Sequence, residues 1–344
     1  MRAIYFSEFN GPLSIKEIDI PKANNKSVVI KVVSTGLCRS DWHAYVGHDS
    51  DIKLPHVPGH EFAGTIHEIG SDVKRFKVGD RVTVPFVNGC SECEYCKSGN
   101  AQVCPRQTQP GFTQYGSFAE YVSIENADFN LISLPDSIDF DTAAALGCRF
   151  ATSFRGLVDR AQVKVNQFVA IYGCGGIGLS ALLIAQAYGA QVICIDINNE
   201  SLMKAKELGA QFIINSKSED PIAKIMEITK DGTDISIDAL GSQVTANQSV
   251  LSLRRNGKHL QLGLLLTSDG TTPIPMSRVI AYELDILGSH GMAAFDYPKM
   301  LQLIESGKLK PQQLISSKVN LESGMSRLAQ MGNNPRTGIT IINP

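Results

Sequence analysis

Four of the eight cysteines crowd into residues 90–104, where Cys90, Cys93, Cys96 and Cys104 form a C-x2-C-x2-C-x7-C run. Four thiolates on one short loop are the donor set of a tetrahedral zinc ion, and a site closed by four protein ligands holds a loop in place rather than reacting. Iron–sulfur clusters use related spacing, and unligated loop thiols are the plain alternative. A second set is dispersed: Cys38 lies in C-R-S-D-W-H, and His60 with Glu61 lies in G-H-E-F-A-G. Taken alone each piece is weak, because a lone His–Glu pair is more often a surface or satisfied core pair than a metal site. A third set is Gly173-Cys174-Gly175-Gly176-Ile177-Gly178, which follows the apolar run QFVAIY and opens an apolar helical stretch, with Asp196 ending the next strand-like run. Glycines there permit a tight turn and let the backbone approach a pyrophosphate resting on the helix N-terminus. Asp196 would accept hydrogen bonds from ribose hydroxyls, and no Arg or Lys follows it until Lys204, which favours NAD over NADP. The competing reading is a glycine-rich turn with Asp196 merely capping the next helix.

These groups need elements to carry them. From Val28 to Val122 the chain shows short alternating or apolar runs (VVIKVV, GTIHEIG, DRVTVPF, FAEYVSI) between Gly, Pro, Asn and Asp clusters, the pattern of β-strands and turns. After about residue 155 the rhythm becomes strand then helix: QFVAIYG, a helix over Ile177–Tyr188, QVICID, a helix over Glu200–Leu208, FIIN, and a helix opening at Asp220–Pro221. Gly189 and Gly209 stand where helix C-terminal glycines belong. DISIDAL, a helix near Val244–Leu253 and GKHLQLG continue the alternation, which predicts an α/β fold, a parallel sheet with helices on its faces. The helical stretch Tyr297–Ile304 and the final strand Gly338–Ile342 break that rhythm and are expected to pack on the first domain.

At 344 residues the chain has room for about two domains with real cores. Lys and Arg total 32 against 34 Asp and Glu, a net charge of -2, so no basic field attracts a phosphate backbone and no nucleic-acid partner is expected. The longest mostly apolar stretch, Ile177–Tyr188, runs twelve residues, short of the ~18 of a membrane span. The N-terminus shows no secretory pattern. A cytoplasmic protein with no membrane partner is expected.

Five motifs in order carry a resemblance that spans essentially the whole chain. They are C-R-S-D-W-H over 38–43, G-H-E-x2-G-x5-G over 59–70, the four-cysteine loop, L-G-C-R-F-A-T over 146–152, and G-C-G-G-I-G with Asp196. The sequence resembles the zinc-dependent medium-chain alcohol dehydrogenases. That resemblance implies a GroES-like distorted β-barrel catalytic domain at 1–152 and 292–344, and a Rossmann doubly wound parallel sheet at 153–291. It implies two zinc ions per subunit and NAD. Cys38, His60 and Cys148 would ligate the catalytic zinc, with Glu61 able to enter its coordination sphere, Asp41 orienting His60, and Cys90, Cys93, Cys96 and Cys104 holding the structural zinc.

By the same match Ser40 and His43 fall on the proton-relay positions and Thr152 on the position touching the nicotinamide. Arg39 and Arg336 fall on pyrophosphate contacts, and Gly173, Gly175, Gly176, Ile177, Gly178 and Asp196 on the dinucleotide site. Phe86 and Trp42 are pocket candidates, Trp42 by adjacency alone. The expected reaction is reversible oxidation of a primary or secondary alcohol to an aldehyde or ketone, by a homotetramer. A polyol or threonine dehydrogenase of the same superfamily is the runner-up, weighed down by Cys148 because the polyol group typically lacks cysteine there. A catalytically retired zinc-bearing binding protein is the reading from another class.

Overall fold

The computed structural model describes residues 1–265, 271–332 and 337–344. Two compact units emerge: Met1–Ala151 with Gly291–Gly307 and Pro311–Pro344, and Thr152–His290 with Lys308–Lys310.

In the first unit, β-branched runs separated by turn residues pair into a seven-stranded sheet. Its spine is the ten-residue strand Val28–Leu37, which pairs antiparallel with Glu61–Ile69, Tyr121–Ile124 and Ile339–Ile342. Two register irregularities, between Val29 and Ile30 and between Val32 and Ser34, interrupt its pairing with Glu61–Ile69, and such bulges bend and twist a sheet. The inward residues Val28, Ile30, Val32, Phe62, Ile66 and Val82 form the apolar core. The chain's last strand, Ile339–Ile342, lies between Val28–Leu37 and Ile315–Val319, so the C-terminal segment completes the N-terminal sheet, as the broken βα rhythm led one to expect.

In the second unit six parallel strands lie in the order Phe212–Asn215, Gln191–Asp196, Phe168–Tyr172, Thr233–Asp238, Leu253–Gln261, Asp285–Gly288. In chain order this is 3-2-1-4-5-6, the doubly wound Rossmann arrangement, whose direction reverses beside its first strand. One helix between the strands begins at the expected Asp220–Pro221, and two others begin one residue before the expected Glu200 and Val244. Asn198, Asp220 and Ser242 are N-caps whose side chains accept backbone N–H bonds at the starts of Asn199–Glu207, Pro221–Thr229 and Gln243–Leu251. The helix Gly176–Ala187 is buried without a break from Gly178 to Ala185, because the sheet covers one side and neighbouring elements the other.

Candidate active site

Strand register builds half of the dispersed set. Gly36 pairs with Glu61 across the antiparallel ladder, so the strand ends place Cys38, just past Leu37, beside His60, just before Glu61. Cys38 then caps the short helix Arg39–Tyr45, and its backbone N–H donates to Asp41 Oδ2 at 2.8 Å. The third piece comes from far along the chain: a π-helical turn over Leu146–Phe150 presents Cys148. Such turns hold one residue more than an α-turn and are frequent at functional sites. One donor atom from each of Cys38, His60, Glu61 and Cys148 lies within 4.8 Å of every other.

His60 is fully buried and its two nitrogens differ. Nδ1 lies 2.8 Å from Asp41 Oδ1, and that oxygen also accepts from the Gly59 N–H at 3.1 Å. Among the described residues Nε2 is buried with no hydrogen-bond partner. An imidazole whose Nδ1 pairs with a carboxylate and whose buried Nε2 is left beside two thiols is arranged as a metal ligand. The thiols are coupled as well. Their mutual hydrogen bond holds Cys38 well below its ordinary pKa and pushes Cys148 well above. These residues fit a zinc ion with three protein ligands and an open position.

Glu61 has further company that spacing does not reveal. Its Oε1 accepts from the backbone N–H of Cys148 at 3.0 Å and of Arg149 at 3.1 Å, and from Arg149 Nε at 3.1 Å, while Arg149 Nη2 reaches Oε2. Burial pushes the Glu61 carboxyl above its ordinary pKa, with the Arg149 charge pulling the other way. Arg149 follows Cys148 directly, and nothing in the sequence alone linked it to Glu61.

The remaining expected residues scatter more. Ser40 Oγ lies 3.8 Å from Cys38 Sγ. His43 Nδ1 meets His48 Nδ1 at 2.9 Å, and burial, with the charges of Arg39 and His48, lowers the His43 pKa. Phe86 stands 6.2 Å from the His60 ring, centroid to centroid, and Phe112, absent from the sequence expectation, is closer at 5.1 Å. Trp42 packs with Leu13 in the apolar clusters and carries the Arg39 guanidinium 4.4 Å above its ring. Arg39 also donates to the Met331 carbonyl at 3.0 Å. Thr152 is buried at the start of the second unit, and Arg336 lies outside the described residues.

The four-cysteine loop closes on itself. Cys93 Sγ and Cys104 Sγ are 3.6 Å apart and Cys90 Sγ and Cys96 Sγ 4.0 Å. A tetrahedron with zinc–sulfur bonds of ~2.3 Å has edges of ~3.8 Å, so these separations suit one central ion. The sulfurs accept as thiolates do: Cys104 from the N–H groups of Cys90 and Arg106, and Cys93 from that of Cys96. Hydrogen bonding from the Glu92 backbone lowers the Cys90 pKa to about 6, while burial raises that of Cys96 to about 12.

In the second unit the glycine turn runs off the strand Phe168–Tyr172, at the point where strand order reverses. Gly173 has φ +97, and a Cβ on Gly178 would sit 1.8 Å from the Gly173 carbonyl oxygen, so neither position admits a side chain. Among the described residues, its chain neighbours aside, no atom lies within 4 Å of a Cβ built on Gly175, which leaves the helix N-terminus approachable. Asp196 is not the cap of the next helix, since Asn198 takes that role. Its carboxylate accepts instead from the N–H of Cys174 at 2.7 Å and of Asn198 at 2.8 Å.

Comparison with known proteins agrees with the family and the fold. Residues 24–136 match the alcohol dehydrogenase GroES-like domain, and residues 176–306 match the zinc-binding dehydrogenase model. An alcohol dehydrogenase of Geobacillus stearothermophilus is 34% identical over 313 residues, 90% of each chain. A D-arabitol-phosphate dehydrogenase of Enterococcus avium is 33% identical over 309 residues, 89% of this chain and 86% of the other. Among solved structures, an alcohol dehydrogenase from Thermus sp. ATN1 superposes with a TM-score of 0.91 at 27% identity, covering 100% of this chain and 99% of that one. The chain belongs to the zinc-dependent medium-chain dehydrogenase/reductase family, with a GroES-like and a Rossmann part. Within that family its class is that of the alcohol and polyol dehydrogenases. Among the described residues no helix is long and apolar enough to cross a membrane.

Proposed function

We propose that the protein oxidises primary or secondary alcohols to aldehydes or ketones, reversibly, with NAD and two zinc ions per subunit. The observation that carries this reading is His60: its buried Nε2 has no partner, Asp41 fixes its other nitrogen, and two thiols complete the donor set. When bound there, zinc lowers the pKa of a substrate hydroxyl or polarises a carbonyl, and the nicotinamide exchanges the hydride.

The chain's own residues supply the rest. Cys38, His60 and Cys148 hold the metal, and Asp41 keeps His60 in the ligating tautomer. Ser40, beside Cys38, accepts the substrate hydroxyl proton at its Oγ as it passes its own hydroxyl proton on, and His43 takes the relayed proton to water, its lowered pKa keeping a nitrogen free to accept. Phe86 and Phe112, both within 6.2 Å of the His60 ring, keep water from the apolar part of the substrate. Cys90, Cys93, Cys96 and Cys104 hold the second zinc. Asp196, with its carboxylate at the strand end and no Lys or Arg until Lys204, accepts ribose hydroxyls and repels a 2′-phosphate, which favours NAD. Arg39, Thr152 and Arg336 are assigned to the cofactor by their motif positions.

Eight free cysteines suit the reducing cytoplasm. A homotetramer is the assembly carried over from the family resemblance, and the exposed edge strand Asp285–Gly288 and the helix Met276–Tyr282, which has no fully buried residue, leave surface for self-association.

A polyol substrate is the second reading, favoured by the likeness to the arabitol-phosphate enzyme. The deciding experiment measures NAD reduction across simple alcohols, sorbitol and threonine, with zinc counted in the same preparation. Two zincs with turnover of simple alcohols supports the proposal. Turnover of sorbitol or threonine alone moves the protein to the runner-up, and two zincs with no turnover of anything points to a retired site.

A further inference from the structure

Glu61 and Arg149 form a buried ion pair at the edge of the metal cluster, and the proposed reaction gives Arg149 no work. The carboxylate is completely buried, and the guanidinium side chain is only 8% exposed. Oε1 accepts three N–H groups, from the Cys148 and Arg149 backbones and from Arg149 Nε, and Oε2 takes Arg149 Nη2. A carboxylate offers about four acceptor sites in all, so this one is close to saturated without a metal.

The backbone is shaped around the pair. A Cβ on Gly36 would lie 2.7 Å from Glu61 Oε2 and 3.2 Å from Arg149 Nη2, and one on Gly147 would lie 2.8 Å from Glu61 Cα. The π-helical turn Leu146–Phe150 lets two consecutive residues serve the same centre, Cys148 toward the metal donors and Arg149 toward Glu61. Yet a Glu61 oxygen remains within 4.8 Å of the three other donors, near enough to ligate after a small rotation.

We propose that Arg149 is a positioning residue that withholds the Glu61 carboxylate from the catalytic metal, so that Cys38, His60 and Cys148 are its only resident protein ligands and the fourth position stays open to substrate. The proposal rests on the zinc reading of this cluster. Two thiolates and a carboxylate would put three negative charges around a divalent ion, and the guanidinium balances the excess. If the carboxylate moved to the metal, a buried guanidinium would lose its partner, which is strongly unfavourable. The fork also fixes direction, because two parallel N–H bonds orient a carboxylate as a single ammonium does not.

The test uses the intact protein with cobalt(II) exchanged into this cluster, zinc kept in the four-cysteine loop, and both metals counted. Added azide enters the open fourth position of such cobalt and shifts its visible bands, whereas a carboxylate already there competes with it. Arg149→Gln is expected to change the resting spectrum as Glu61 takes that position, to need several-fold more azide for the same shift, and to release cobalt to a chelator several-fold more slowly. Glu61→Gln, and Glu61→Gln combined with Arg149→Gln, are expected to keep the spectrum and the azide response of the starting protein. A folded, metal-loaded Arg149→Gln protein with the unaltered spectrum overturns the proposal. So does a Glu61→Gln protein whose spectrum differs from that of the starting protein, and this arm decides alone should Arg149→Gln fail to fold. Failure of the starting protein to take cobalt at this cluster overturns the zinc reading itself, a result distinct from either of the others.

Discussion

Cys38 shows how much one residue is asked to do: it stands at a helix N-cap, hydrogen-bonds the Cys148 thiol and offers a sulfur beside His60. Cys38→Ser is therefore expected to remove one zinc per subunit and all alcohol oxidation; metal analysis beside the NAD assay reads both, and normal activity in that variant would sink the zinc mechanism. His43 belongs to the proton path, and burial, followed by the Arg39 and His48 charges, depresses its pKa. A depressed pKa means the ring stays neutral, and able to accept, below its ordinary value of ~6.5. The acid limb of turnover is thus expected below ~6.5. His43→Gln should slow turnover by on the order of a hundredfold near pH ~6 and far less in alkali, where hydroxide replaces the base, with zinc content unchanged. A uniform loss across the pH range would remove His43 from the path.

At the scale of elements, the four-cysteine loop is a staple, since its sulfurs bond mainly to its own backbone N–H groups and one another. Cys93→Ser is expected to lower the melting temperature by several degrees and release the loop's zinc while the metal at Cys38, His60 and Cys148 stays; a melt paired with a zinc count checks this. The helix Asn199–Glu207 follows Asp196 and is started by Asn198, whose side chain accepts from Glu200 and Ser201. Removing such a cap costs about 1 kcal/mol. Asn198→Ala should therefore shift the melting point by roughly 2–4 °C and leave the zinc content alone, and an unchanged melt would show that the helix does not depend on its cap.

For the molecule as a whole, acid is the sensitive direction. His56 in the first unit and His259 in the second are both buried, and burial lowers both pKa values. The unfolded chain binds protons on these rings at ~6.5 and the folded chain does not, so their stabilisation is intact above ~6.5 and lost as pH falls below it. Denaturation midpoints should drop between pH ~7.5 and ~5.5, and less steeply in His259→Asn. His259 accepts company from Ser249 at 2.8 Å and Gln261 at 3.1 Å, contacts that asparagine partly reproduces. A variant with the same steepness would place the sensitivity elsewhere.

The residues that were legible in the sequence are those whose chemistry is local. Cys90, Cys93, Cys96 and Cys104 sit on one loop, and the glycines from Gly173 to Gly178 lie in one turn, so spacing alone fixes their geometry. The helix start at Asp220, and strands between turn residues, follow for the same reason, whereas the Asn198 cap emerged only in the structure. Cys38, His60 and Cys148 could be joined beforehand only through resemblance, because what unites them is the pairing of Gly36 with Glu61 and a π-helical turn more than eighty residues beyond. Arg149 against Glu61 and Phe112 against His60 were not legible at all. Local sequence sets backbone preferences over a few residues; side chains far apart in the chain meet only where strand register and the packing of the core bring them, and that is what the tertiary structure alone decided.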